Sequence, residues 1–367
     1  GERCQVWEQL DGVRLISPRS GSPTSFRRVV ESQSGRHVVV EHDRPLSQPL
    51  SIRPVANGFR VSSRDGSLPF IGFPKSLRAI VTPQVRQGKL RVFQDPRKRS
   101  SRYFERMLRF LSGRSVGVAL SGGGAWGFAH IALLRRLREE NIPVDYIAGH
   151  SIGALIGGVY CAGGEAALNT LIARRRELVP TLLASTVRSG SIVRFLDRLI
   201  GGVRLENLET SFLPMTADLR TGQSVILKTG PVTEAVSDAW RIPPFRASRM
   251  VGVKELVDGG LVNFLPVRPL REAGAAQIIA SNAVPTRPGE RGGRIRQAVQ
   301  SACLVMRQLS AEQAKAADTI VELGQPDRSM FDYRHAEDIV ARASRQLRNR
   351  TFQRFNAPPA ARNRRVA

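Results

Sequence analysis

Two strand–glycine turn–helix units stand in tandem between residues 116 and 161, and they commit this chain to a layered α/β fold. In the first, the apolar run Val116 to Leu120 breaks into Ser121-Gly122-Gly123-Gly124. A helix is then predicted over Ala125 to Glu140, with Ala129, Leu133, Leu134 and Leu137 at helical spacing. In the second, Val144 to Ala148 runs into Gly149, and a helix is predicted from Ile152 to Cys161. A short apolar strand that turns at once into a helix buries both its faces only between helical layers. The alternation continues with strands over Leu213 to Ala217 and Gln223 to Lys228, a helix over Val232 to Trp240, and a strand over Gln277 to Ser281. Helical patterns over Arg294 to Glu322 and His335 to Leu347 complete the predicted set.

The pattern Gly-x-Ser-x-Gly occurs twice, at Gly113 to Gly117 and at Gly149 to Gly153. In a chain of 367 residues it arises by chance about 0.1 times, so context has to separate the copies. A nucleophile elbow needs a strand before the serine and a helix after it. The copy around Ser115 precedes a strand and is a decoy. The copy around Ser151 follows Val144 to Ala148 and opens a helix, whose N-terminus favours negative charge developing on the serine oxygen. A glycine-rich turn that merely contains a serine is the bland alternative.

Gly122-Gly123-Gly124-Ala125-Trp126-Gly127 also fits the G-x-G-x-x-G spacing of dinucleotide sites. That reading expects an acid at the end of the next strand. Here the strand ends in Ala148-Gly149, and its acid, Asp145, lies near the start. The competing reading is an oxyanion hole, in which consecutive glycines leave backbone N–H groups pointing at one spot.

A serine hydroxyl needs a base within reach. Of five histidines, His150 adjoins Ser151, and neighbours in a tight turn are expected to point apart. His130 reads as a packing or hydrogen-bonding residue inside a helix, and His335 belongs to a late helix. Asp258 stands out because Leu256-Val257-Asp258-Gly259-Gly260 sets a carboxylate at the end of an apolar strand. An Asp-Gly turn is the bland alternative.

Taken in order, these residues resemble the patatin-like phospholipase family, in its bacterial branch similar to neuropathy target esterase. The matching stretches are Leu111 to Gly117, the glycine loop through His130, Asn141 to Asp145, and Gly149 to Gly153. They continue through Ala217-Asp218-Leu219, Ile242 to Phe245, Asp258 to Asn263 and Leu265-Pro266-Val267. The resemblance implies a three-layer α/β/α hydrolase domain with a Ser-Asp dyad. Ser151 would be the nucleophile, Asp258 its base, and Gly122, Gly123 and Gly124 the oxyanion hole. It implies fatty-acyl esters of phospholipids or lysophospholipids as substrates, and a reaction needing no metal or cofactor. Three positions depart from the pattern: Trp126 stands where Arg or Lys is usual, Phe264 where a second Asn is usual, and His150 where Thr is common. A catalytically inactive patatin-like protein that binds lipid or a partner is the alternative these departures raise.

The expected organisation is a β-rich accessory segment of unknown role over 1–95, a linker and amphipathic helix over 96–114, the hydrolase domain over 115–350, and a disordered basic tail over 351–367. Short strands are expected at Val38 to Val40, Phe59 to Val61 and Leu90 to Val92. The chain begins at Gly1, which points to a fragment or a processed product. No run of 18 apolar residues occurs, so no spanning helix is expected. Cys4, Cys161 and Cys303 have neither disulfide nor metal spacing, which fits a reducing, cytoplasmic location. The net charge of +25 favours an anionic partner. With 50 arginines against six lysines, much of it reads as a coding bias. Peripheral contact with an anionic membrane is the partner expected, and no nucleic acid, since stacking aromatics and helix-turn-helix patterns are missing.

Overall fold

The computed structural model describes residues 114–356 apart from 188, 189 and 287–292, together with the backbone of eight short strands between Val6 and Gly72 and the isolated positions Arg106 and Arg109. The chain divides into two units, one holding residues 1–115, 272–276 and 357–367, the other residues 116–271 and 277–356.

In the first unit, β1 (Val6–Gln9), β2 (Gly12–Leu15), β3 (Phe26–Glu31) and β4 (His37–His42) form one sheet in the order β1-β2-β4-β3. A second sheet joins β5 (Leu50–Val55), β6 (Gly58–Ser63), β7 (Gly66–Ser67) and β8 (Ile71–Gly72). The strands expected at Val38 to Val40 and Phe59 to Val61 lie within β4 and β6. The strand expected at Leu90 to Val92 and nearly all of 96–113 lie outside the described residues.

The second unit is built on an eight-stranded mixed sheet in the order β13-β14-β11-β10-β9-β15-β16, with β12 also paired to β11. The strands are β9 (Val116–Leu120), β10 (Tyr146–Gly149), β11 (Ser211–Asp218), β12 (Ser224–Ile226), β13 (Arg249–Val251), β14 (Lys254–Asp258), β15 (Gln277–Asn282) and β16 (Thr319–Glu322). β9, β10, β11, β15 and β16 run parallel, whereas β12, β13 and β14 pair antiparallel. Every residue of β9, β10 and β15 is buried, as strands covered on both faces must be. This is the three-layer α/β/α arrangement the sequence implied.

The flanking helices are α1 (Ala129–Glu139), α2 (Ser151–Ala173), α3 (Leu178–Val187), α4 (Gly190–Ile200), α5 (Val232–Asp238), α6 (Val267–Glu272), α7 (Gly293–Ala314) and α8 (Ala336–Leu347). α1 packs on α8, and α2 lies on β10 and β11 with α4 and α5 against it. Leu133, Leu134, Leu137, Ile147, Ile152 and Phe195 are fully buried in one continuous core. Each such side chain contributes about 1.5–3 kcal/mol when removed from water. By length and composition α2 could cross a membrane, yet 61% of its most apolar stretch is buried inside the protein. Its apolarity is explained by this central position.

Several boundaries differ from the sequence expectation, and the helix predicted from Ile152 to Cys161 runs on to Ala173. The helix predicted over Ala125 to Glu140 begins with a 3-10 turn over Gly124–Phe128, and α1 proper starts at Ala129. The helix predicted over 294–322 stops at Ala314, and Thr319–Glu322 is instead β16, paired parallel to β15. Asp318 marks the break: its carboxylate accepts from the Ile278 N–H at 2.7 Å and pairs with Arg271. Thr319, Ile320 and Val321 are β-branched and suit a strand better than a helix. Residues 351–356 of the expected disordered tail are packed, because Phe352 and Phe355 are buried and the Phe352 N–H donates to Glu140 at 2.7 Å. Residues 357–367 lie outside the described residues.

Candidate active site

β10 ends at Gly149, His150 is extended at φ −130° and ψ 166°, and Ser151 opens α2 at φ +51°. A positive φ on a non-glycine residue costs about 1–3 kcal/mol and persists where its surroundings enforce it. Here they do. The Ser151 N–H donates to Ala239 O at 2.8 Å, and a Cβ on Gly153 would sit 2.6 Å from the carbonyl oxygens of Leu120 and Ser121. The strained serine between a strand and a helix is the local geometry of a nucleophile elbow.

Asp258 closes β14 opposite Thr216 of β11, and its N–H donates to Arg241 O at 2.8 Å. The carbonyls that hold Ser151 and Asp258 therefore belong to one turn after α5, two residues apart. Guanidinium groups fix that turn. Arg241 Nε donates to Asp238 Oδ1 at 2.9 Å, Arg249 Nη1 to Asp238 Oδ2 at 2.9 Å, and Arg246 Nη1 to Ser237 O at 2.8 Å. Burial pulls the Arg246 guanidinium down to about 10, still charged at neutral pH.

The Asp258 carboxylate is buried. Its Oδ1 accepts from the Gly260 N–H at 2.8 Å and faces His150 Nδ1 at 2.9 Å. Its Oδ2 is buried and has no hydrogen-bond partner among the described residues. No hydrogen bond joins Ser151 Oγ to Asp258 among the described residues.

Among the described residues His150 has no hydrogen bond to Ser151; its ring points instead at Asp258, a contact the sequence did not suggest. Its ring is enclosed between two bare backbones: a Cβ on Gly122 would lie 2.6 Å from His150 Cε1, and one on Gly260 2.3 Å from the same atom. Nε2 faces a donor, the Gly122 N–H at 3.0 Å, and an acceptor, Phe264 O at 2.8 Å. One ring nitrogen serves only one of these at a time. With the proton on Nδ1, toward Asp258, Nε2 accepts from Gly122. With a proton on Nε2, the ring donates to Phe264 O and the Gly122 amide is released.

Gly123 and Gly124 have φ of +131° and +58°, and a Cβ on Gly124 would meet Met330 O at 2.3 Å. Their N–H groups donate to no group among the described residues. The Gly122 amide is the one already engaged. His130 supports the loop from beneath: Nε2 lies 3.0 Å from Ser121 O and Nδ1 2.8 Å from Ser281 Oγ. Burial lowers its pKa from 6.5 to about 4, opposed by the Ser121 contact and helped by nearby His150. It is thus a neutral brace.

The unusual residues form one connected group. Trp126 and Phe264 share a small apolar cluster with Ala283, Val284, Val299 and Cys303. Trp126 Nε1 donates to Arg328 O at 2.7 Å. The Phe264 ring meets the His150 ring edge to face at 5.0 Å. His335 lies elsewhere: it is exposed and paired with Asp332 at 2.7 Å. Asp145 has a structural use, accepting from the Val116 N–H at 2.9 Å. Among the described residues no group of three or more His, Cys, Asp or Glu is placed to hold a metal ion.

Residues 118–271, which contain the glycine loop, His130, His150, Ser151 and Asp258, match the patatin-like phospholipase family model. A patatin-like phospholipase domain-containing protein of Caenorhabditis elegans is 35% identical over 204 residues, covering 52% of this chain and 15% of that protein. An uncharacterized NTE family protein of Mycobacterium tuberculosis is 34% identical over 195 residues, covering 50% of this chain. The neuropathy target esterase sws of Drosophila melanogaster is 33% identical over 194 residues, covering 48% of this chain and 13% of that protein. The chain spans about half the length of the mycobacterial relative, 54%. Residues 118–271 of this chain thus match the patatin-like phospholipase family model, and the chain is similar over about half its length to NTE family proteins.

Proposed function

We propose that the domain hydrolyses fatty-acyl esters of phospholipids or lysophospholipids through Ser151 and Asp258. The family match over residues 118–271 points to lipid ester hydrolysis in general. The dyad and the substrate class are the finer reading. The observation that carries it is the strained Ser151 at the mouth of α2, combined with an unpartnered, buried Asp258 Oδ2.

In the proposed reaction Ser151 Oγ attacks the ester carbonyl carbon while its proton passes to Asp258 Oδ2. The carbonyl oxygen becomes an oxyanion held by the Gly123 and Gly124 amides, with Gly122 joining when His150 turns to Phe264. Each such donor is worth about 10²–10³ in rate. Collapse expels the alcohol, which takes the proton from Asp258 and leaves an acyl-serine. Water then attacks that acyl group and gives a proton to Asp258, and collapse of the second tetrahedral intermediate breaks the bond to Ser151 Oγ, which takes that proton back as the fatty acid departs. His150 keeps Asp258 Oδ1 occupied, so that Oδ2 is the oxygen left for proton transfer.

A second reading has a specific observation behind it. Ser151 and Asp258 share no hydrogen bond, and one amide of the loop is engaged, as in a domain that binds acyl esters without turning them over. A fluorophosphonate probe on the full chain separates the readings. Labelling confined to Ser151 supports hydrolysis, and an unlabelled, folded protein removes it.

A further inference from the structure

β10 ends at Gly149, opposite Pro214, and β11 runs on to Asp218. β14 returns antiparallel along this extension, with Asp258 opposite Thr216. The β13–β14 hairpin and the loop 219–223 therefore project past the carboxyl edge of the sheet, the edge that carries Ser151. Lys254 lies four residues before Asp258 on β14, about 13 Å along the strand.

The two segments are tied together. The Leu219 N–H donates to Glu255 O at 2.8 Å, and Arg220 Nη1 to Val253 O at 3.4 Å. Asp218 organises the loop from within, accepting from Thr221 Oγ1 at 2.8 Å, the Glu255 N–H at 3.0 Å and the Arg220 N–H at 3.3 Å. Asp218 itself lines a shallow pocket together with Arg220, Thr221, Gln223 and Lys254. Leu219, Met250, Val251 and Val253 all stand in solvent, Val253 at 81% exposure. Residues 219–223 and 250–254 contain no acid. Asp218 offsets part of the charge of Arg220, and with Lys254 the pocket keeps a positive balance; clustered aliphatic side chains beside such a pocket mark a surface that leaves water for an anionic, apolar phase.

We propose that this hairpin and loop dock the domain on an anionic phospholipid bilayer. The aliphatic side chains enter the acyl boundary, and Arg220 and Lys254 meet headgroup phosphate in the pocket. The proposal deepens the lipid-ester reading by naming how the same site reaches its substrate, but the binding itself needs no turnover.

The test is co-sedimentation of the full chain with vesicles of phosphatidylcholine alone and with 30% phosphatidylglycerol (roughly the anionic share that makes surface attraction measurable). The wild type should bind the anionic vesicles and lose binding as salt rises. Val251→Asp with Val253→Asp should lower binding to both vesicle types at least about tenfold, and Arg220→Glu with Lys254→Glu should remove the anionic preference. Both double variants should hydrolyse soluble p-nitrophenyl butyrate at wild-type rate, which also shows that they fold. Ser151→Ala should bind vesicles like the wild type. Wild-type binding by both double variants, or no vesicle binding by the wild type, overturns the proposal. So does a change of oligomeric state in the variants, which would make the patch an interface between copies. Loss of esterase activity in the wild type with vesicle binding intact would instead sink the hydrolase reading alone.

Discussion

His150 Nδ1 stands 2.9 Å from Asp258 Oδ1, with the imidazole enclosed between the backbones of Gly122 and Gly260. The ring thereby touches both the proposed base and the proposed oxyanion loop. Displacing it should be felt as misplacement of both. His150→Ala is expected to lower kcat on p-nitrophenyl butyrate by about ten- to a hundredfold with little change in KM. A change in KM alone would argue against a positioning role.

The enclosure gives a paired prediction. A methyl group on Gly260 would collide with the ring, so Gly260→Ala should lower kcat in the His150 background. Once the ring is gone, as in His150→Ser, the added methyl has room. The double variant is expected to be more active than Gly260→Ala alone. Strictly additive losses across the four proteins would show that the ring and the glycine act independently.

Ser151→Ala and Asp258→Asn should each reduce ester hydrolysis to the background rate, a loss of about 10³-fold or more. His335→Ala should leave most activity, because His335 is exposed and paired with Asp332. Activity lost only in the His335 variant would move the proton-transfer role to that residue.

His130 predicts a pH dependence of stability. Its folded pKa of about 4 lies below the ordinary 6.5. Between those values the unfolded chain binds a proton that the folded chain excludes. Stability from this group is therefore full above pH 6.5 and falls as pH drops to 4, by about 3 kcal/mol in total. His130→Gln should lack that increment. Urea midpoints of the two proteins at pH 7 and pH 4.5 check it, and equal pH slopes would refute it.

Trp126 and Phe264 pack in one apolar cluster, so restoring the commoner cation alone should be harmful. Trp126→Arg would bury a guanidinium beside Phe264 and Val284 and remove the bond to Arg328 O. A cost of about 3–5 kcal/mol is expected. Adding Phe264→Asn should recover part of it, read as coupling in chemical denaturation.

Much of this site is legible in sequence because its parts are local. The glycine loop, the elbow around Ser151 and Asp258-Gly259-Gly260 each lie within a few consecutive residues, bounded by strands or helices that periodicity reveals. His150 is not legible that way. Its direction follows from an extended backbone at 150 and a left-handed one at Ser151, which together turn the ring over two distant glycines. Those glycines are the only trace it leaves, since bare backbone at 122 and 260 makes room for something. β16 was hidden for another reason: the helical periodicity of α7 carries the eye past Ala314 into Thr319, Ile320 and Val321, which pair with β15. The anchoring of Phe352 on Glu140 crosses more than 200 positions, beyond any local pattern. The turn after α5 left no chemical signature either, because it works through carbonyls.

That turn sets the working distance of the site. Ala239 O holds the Ser151 amide and Arg241 O the Asp258 amide, so the gap between hydroxyl and carboxylate is gauged by one three-residue span of chain and not by the sheet alone. Any shift of α5 would carry both amides as a pair, preserving their registration while moving them against the glycine loop. In the proposed reaction such a shift would alter the distance to the Gly123 and Gly124 amides while keeping Ser151 and Asp258 in step.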